Sequence, residues 1–297
     1  MDVNAVVLNG TVNYSKSGNQ KFLQKNNDPA SANILSYTNI ILSGSGAKTS
    51  PDSLTINVSG IFSIQGISTF LLGTLSAINY GSNGTLEYAD TNAHVIASTS
   101  YEWPSANGPV NLLMNNSKGT SLTVTRTISG TLNLVSGNFN SNNQLTINSS
   151  GSLKYLGGTT SNFILPSCLT NFKPYTGTTN LLGNLTINGT LDLGNNTLNI
   201  ASNTLYLNGD FTTQNGVIKS NGSGSINVGG TGDLTNFLLF DQTLSGTTNR
   251  LNNFFLNRGT SVVSGSITLP SFSPFNPLSI KSIYSGELRM PFDQSSR

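Results

Sequence analysis

Between residues 185 and 207 four triplets follow one another: Leu185-Thr186-Ile187, Leu191-Asp192-Leu193, Leu198-Asn199-Ile200 and Leu205-Tyr206-Leu207. Each places two aliphatic residues around one polar residue, the period of two expected of a strand with one buried face. The triplets begin six or seven residues apart and are separated by Asn188-Gly189, Gly194-Asn195-Asn196 and Ser202-Asn203. Glycine and asparagine tolerate the positive φ that a sharp corner often requires. Three such strands and their corners use roughly 20 residues. This spacing predicts an all-β chain, a parallel β-helix (β-solenoid) with about three strands per coil. The fourth triplet is expected to stack on the first.

A longer period runs through the whole chain. Gly10-Thr11-Val12-Asn13-Tyr14, Gly84-Thr85-Leu86-Glu87-Tyr88, Gly151-Ser152-Leu153-Lys154-Tyr155 and Gly224-Ser225-Ile226-Asn227-Val228 share one pattern at nearly even spacing. A second pattern, Gly-x-aliphatic-x-aliphatic, starts at Gly60, Gly130, Gly189 and Gly265, one copy after each copy of the first. A recurring order of this kind marks a repeat array. The long period of about 70 residues then corresponds to three coils, and the chain to roughly 13. The expected organisation is a continuous repeat solenoid over 1–270, with repeats at 10–83, 84–150, 151–223 and 224–270. Residues 271–297 are expected to be an irregular C-terminal segment or the start of a next unit. Sandwiches and propellers prefer longer strands and hairpin turns, and no sustained 3.6-residue apolar pattern supports helices.

Composition fits stacking. Only 9% of the 297 residues are charged, against about 25% in ordinary soluble domains. About forty asparagines carry much of the polarity. Like charges repeated at every coil along one face would repel, whereas Asn, Ser and Thr can form hydrogen-bonded ladders. A net charge of +2 gives no footprint for nucleic acid, and no apolar run is long enough for a transmembrane segment. One cysteine and one histidine cannot build a thiolate or multi-imidazole metal site. Met1-Asp2-Val3 opens without a basic n-region and apolar h-region. Neither end shows a cap helix, so neighbouring repeats of a larger polypeptide are expected to continue the stack.

Two stretches carry a family resemblance: Gly10 to Gln20, and Tyr37-Thr38-Asn39-Ile40-Ile41-Leu42-Ser43-Gly44-Ser45-Gly46-Ala47-Lys48-Thr49. Together with Glu102 to Pro109 and Leu185 to Leu193, they resemble repeats of very large surface proteins of Bacteroidetes and related bacteria. The similarity covers most of residues 1–270, while Ser271 to Arg297 departs from it and shows no type IX sorting domain. The resemblance implies a β-helical stalk or adhesin region. Such a region is extracellular, at the cell surface, outer-membrane associated and tied to gliding and adhesion. It carries over no catalytic residues.

Parallel β-helices also include lyases and tailspikes, so acid–base constellations matter. Asp192 and Asp210 lie about one coil apart and could form a carboxylate pair; beside Gly194 and Asn208 they read better as solvated corners. Glu87, Asp90 and His94 could in principle do acid–base work. Glu87, however, aligns with Asn13, Lys154 and Asn227 in the other copies, which marks a freely substituted surface position. His94 reads most simply as a surface residue, and Cys168 as a small buried one in the run from Phe163 to Leu169. Gly229-Gly230-Thr231-Gly232-Asp233 has glycine-rich calcium-loop character but occurs once, so Ca²⁺ is not expected. Trp103, between Tyr101 and Pro104, is expected to fold over a coil corner rather than present a sugar-stacking face. Phe237, Phe240, Phe254 and Phe255 are expected in the core. Thr123-Val124-Thr125 does not recur as an ice-binding ladder would.

The composite expectation is a non-enzymatic structural or adhesive module with no catalytic, metal or cofactor site. It would be a rigid stalk segment of a surface adhesin or filament, with surface glycans or other cells as further partners. The alternatives are a carbohydrate-binding or polysaccharide-cleaving β-helix, and a self-assembling filament subunit.

Overall fold

The computed structural model describes residues 5–23, 33–213 and 215–231, and beyond these 238–239, 251–256, 258, 267–268 and 279–282. The described residues contain strands and turns but no helix, hence none long and apolar enough to cross a membrane. Every strand pair among them is parallel (for example), as expected of a β-solenoid. The chain divides into two compact units, Met1–Pro166 and Ser167–Arg297.

In the first unit each turn has three sides. Strands Asn33–Leu42 and Ile61–Leu71 each bend around a corner and so serve two sides. Residues 33–37 pair with Leu54–Val58 on the first face, while residues 40–42 pair with residues 62–64 on the second. The second face carries an unbroken inward file, Val12, Ile40, Phe62, Leu86, Leu112, Leu132 and Leu153, each directly above the last. From Ile40 onward all of them are fully buried. Burying such a side chain is worth about 1.5–3 kcal/mol, so this file and its neighbours form the spine of the unit. The alternation predicted for a one-sided strand is seen directly: in Thr85–Asp90, Leu86, Tyr88 and Asp90 face inward while Thr85, Glu87 and Ala89 are half-exposed.

The file also measures the turns. Three of them separate Val12 from Leu86, and three more separate Leu86 from Leu153. The long sequence period is therefore three coils from Gly10 to Gly151, whereas the fourth copy, Gly224–Val228, stacks on Thr204–Leu207 and not on the file of strands that follows Gly189. Individual turns differ in length: the step from Val12 to Ile40 is the longest, and that from Leu112 to Leu132 the shortest. The early coils carry longer strands, and a loop insertion lengthens the turn from Leu86 to Leu112.

The second unit holds the regular coils. Leu185 pairs with Leu205 and Ile187 with Leu207, which is the stacking of fourth triplet on first that the sequence predicts. Leu169, Ile187, Leu207 and Val228 form one inward file over three turns of nearly uniform length. The two files thus close about nine turns, six in one unit and three in the other, rather than 13, and strands Leu251–Leu256 and Ser279–Ser282 continue the second stack. A uniform short coil underestimates the first unit, and much of the chain after Thr231 lies outside the described residues.

Corners use glycine for close approach as well as for positive φ. Before three strands, two in the first unit and one in the second, an asparagine side chain accepts from the backbone N–H one turn ahead: Asn39 from Ile61 (2.9 Å), Asn111 from Thr131 (2.8 Å) and Asn171 from Thr190 (2.8 Å). The residue preceding each of these donors is Gly60, Gly130 or Gly189, and a Cβ there would collide with the asparagine amide. None of the three has positive φ. Gly194 does, at 53°. The corner expected at Ser202-Asn203 turns instead at Ala201 (φ 51°), while the Asn203 amide donates to the Leu181 and Ile200 carbonyls.

Candidate functional site

In the first unit one first-face strand is missing. After His94–Ile96 the chain runs through a loop, residues 97–110, before re-entering the second face at Asn111–Asn115. The loop takes over part of the missing ladder: Tyr80 N–H donates to the Asn107 carbonyl (2.9 Å), and Arg126 Nε donates to the Trp103 carbonyl (3.0 Å). Two consecutive turns, Ser100 N–H to Ala97 O and Trp103 N–H to Ser100 O, fold the loop back on itself. Trp103 is consequently 1% exposed, which agrees with a plug and not with an exposed sugar platform. Tyr101 remains on the surface.

The same fold carries Glu102 inward, where it is buried. Tyr88 Oη donates to Glu102 Oε1 (3.0 Å), and Tyr80 Oη donates to the Glu102 carbonyl (2.7 Å). His94 Nδ1 lies 2.9 Å from Asp90 Oδ2, and its Nε2 lies 3.6 Å from Glu102 Oε1. The Tyr88 and His94 rings pack with centroids 4.5 Å apart. Burial alone would push the imidazole down. The close contacts with Asp90 and Glu102, and their negative charges, outweigh burial and raise its pKa to about 9. Burial, and then the Glu102 charge, holds both tyrosines well above the ordinary phenol value. The Thr120 hydroxyl, inward on the strand stacked on His94, has no hydrogen-bond partner among the described residues.

This cluster corrects the expectation for His94 and agrees with that for Glu87. His94 is not a surface residue, because its side chain points inward and is only 18% exposed. Glu87 does not join Asp90 and His94: it alternates outward, and the second carboxylate comes from Glu102, which spacing along one strand could not reveal. The arrangement fixes a protonated imidazole between two carboxylates inside the solenoid and thereby fastens the loop to the wall.

The other singled-out residues scatter. Strand register sets Asp210 beside Thr190 and Asp192 beside Thr212. Asp192 pairs with Lys173 (2.9 Å) at a half-exposed position, and Asp210 accepts from the Phe211 N–H. Cys168 is half-buried rather than buried, with the Asn188 amide against its sulfur; of its run Leu169 is fully buried while Ile164 is largely exposed. Phe254 is buried and Phe255 half-buried. Phe237, Phe240, Asp233 and Gly265 lie outside the described residues. Among the described residues no group of three or more His, Cys, Asp or Glu side chains is placed to hold a metal ion.

Sequence reasoning missed Lys48. It is fully buried and donates to the carbonyls of Lys16 (2.6 Å), Ser45 (3.0 Å) and Gly18 (3.3 Å). Burial first, and the nearby Lys16 charge second, lower its pKa. The available signal was the lysine in Gly44-Ser45-Gly46-Ala47-Lys48-Thr49, a charge inside an otherwise uncharged turn.

On the outside of the same unit, a concave groove of about 320 Å³ runs along the corner between the first and second faces. It is lined from four successive turns, among others by Val7, Ser36, Asn57 and Asn79. Polar ladders of the predicted kind line it and recur elsewhere, as in Asn199 to Asn180 and Asn208 to Asn188. Compared with models of protein families, with curated proteins and with solved structures, the chain matches none.

Proposed function

We propose that this chain is a non-enzymatic structural and adhesive module, a rigid stalk segment in the repeat region of a large extracellular cell-surface adhesin or filament. Its partners on this reading are neighbouring repeats of the same polypeptide and, beyond them, glycans or other cells. The observation that carries the reading is how the titratable groups are used. The charged cluster at His94 faces the interior and closes a gap in the wall, and Lys48 is spent on three backbone carbonyls. Outward positions carry mainly amides and hydroxyls. A stack of paired strands over a continuous aliphatic file resists bending, because bending must open backbone ladders on one side. The resemblance to Bacteroidetes surface repeats supports an outer-membrane-associated location.

The test is incubation of the purified chain with a panel of neutral and acidic polysaccharides, reading release of reducing ends and of unsaturated products. No release above a buffer blank is expected. Turnover that disappears in Glu102→Gln would replace this reading with a polysaccharide-cleaving one.

A further inference from the structure

The groove on the first unit is built as a file, not as an isolated pocket. Val7 stands beside Ser36, Ser36 beside Asn57, and Asn57 beside Asn79, each on the neighbouring strand. Asn107 of the loop continues the row. The amides point one way: Asn57 Nδ2 donates to Ser36 Oγ (3.3 Å), Asn79 Nδ2 to Asn57 Oδ1 (3.3 Å), and Asn107 Nδ2 to Asn79 Oδ1 (3.1 Å). Strands lie about 4.8 Å apart, so five rungs extend over roughly 19 Å.

An asparagine amide has two N–H donors and two acceptor positions. The ladder engages one of each on Asn57 and Asn79 and thereby locks their orientation. Both residues line the groove, and their hydrogen bonds along the file leave a second donor and a second acceptor on each. The lining, which also includes Asn9, Thr38 and Ser59, contains no charged side chain. A charged polymer would meet no counter-charge there, whereas an uncharged polymer rich in hydroxyls finds alternating donors and acceptors. We infer that this groove binds a linear neutral glycan laid along the file, its hydroxyls on Ser36, Asn57 and Asn79 and one sugar face against Val7. Two rungs span roughly 10 Å, about the length of a disaccharide.

Competing occupants fit less well. A peptide adding as a strand needs unpaired backbone; Asn33–Leu42 and Leu54–Val58, which form the middle of the groove, are paired on both sides, so among the described residues a peptide strand could pair only with Ala5–Tyr14 at the rim and not along the file. A second copy would bring one concave corner against another. The inference gives the glycan partner of the proposed adhesive reading a place and a chemical class and in that respect rests on it, but it does not need the stalk, since a groove can bind whether or not the module is one.

The experiment is calorimetric titration of the full chain with hexasaccharides of β-1,4-glucan, β-1,4-mannan, β-1,4-xylan and α-1,4-glucan, with hexagalacturonate as the charged counterpart. At least one neutral hexasaccharide is expected to bind one-to-one, and hexagalacturonate is not. The double variant Asn57→Ala/Asn79→Ala should weaken binding at least tenfold, while Asn188→Ala/Asn208→Ala, on a ladder in the other unit, should leave it unchanged. Val7→Lys, at a site 66% exposed, places bulk and charge at the groove without touching the ladder. It should also weaken binding tenfold and serves if the double variant does not fold. Binding of hexagalacturonate alone, failure of all four neutral probes, or full affinity in both Val7→Lys and the folded double variant would overturn the inference.

Discussion

His94 Nδ1 stands 2.9 Å from Asp90 Oδ2, four residues earlier in the chain, with the two side chains 18% and 5% exposed. The imidazolium is thus held on one side by Asp90, on the other by Glu102, and flanked by the Tyr88 ring. Its pKa of about 9 lies above the ordinary 6.5. A base whose pKa is raised by folding lends stability that is complete below the unfolded value and is lost as pH climbs through the folded one. The melting midpoint should therefore fall as pH rises from 6.5 to 9. The full loss is about 3 kcal/mol. His94→Gln should start lower and show a flat profile over that window; a wild-type midpoint that rises there would contradict the cluster.

Trp103 offers a local probe because it is the chain's single tryptophan. With 1% exposure, its emission should be blue-shifted and resistant to iodide quenching, and should move red together with the loss of strand circular dichroism. Trp103→Ala should cost about 3–5 kcal/mol in denaturant unfolding, more than a surface aromatic would.

Close approach at the corners separates two glycines of the second unit. A Cβ on Gly189 would sit 2.6 Å from Asn171 Oδ1 and 2.7 Å from the Thr170 carbonyl, whereas one on Gly183 meets nothing within 4 Å. Gly189→Ala should destabilise by about 1–3 kcal/mol. Gly183→Ala should be neutral, or stabilise by about 0.4–1 kcal/mol through the unfolded state. Equal midpoints for the two variants would refute the crowding account.

Lys48→Met keeps most of the side-chain volume and removes the ammonium that three carbonyls share. Orphaning buried acceptors costs about 1–3 kcal/mol, so chemical denaturation should show a loss of that order. Lys48→Arg should not rescue it, because a planar fork is too large for the position. Lys16→Met, which removes only a neighbouring charge, should be close to neutral.

Residues 185–207 show how far local sequence reaches. Aliphatic doublets and Asn/Gly corners determined strand length, the inward face and the coil closure that pairs Leu185 with Leu205, because a period of two and a sharp corner are local properties of the backbone. The spacing of Gly10, Gly84 and Gly151 likewise determined three coils per long repeat. Coil length elsewhere was not legible: insertions such as 97–110 leave the strand pattern intact on both sides and only lengthen the path between them.

Tertiary structure alone decided the partners of His94. Along the sequence, Glu87 stands closer to Asp90 than Glu102 does, yet strand alternation turns Glu87 outward, and the missing strand lets a loop bring Glu102 in. It also decided that Lys48 is interior, and that Ser36, Asn57, Asn79 and Asn107, each from a different turn, form one row. Stacking sets residues of successive turns about 4.8 Å apart across the strands. Neighbours in that direction depend on the exact length of every intervening coil, a sum over many corners that no local pattern encodes.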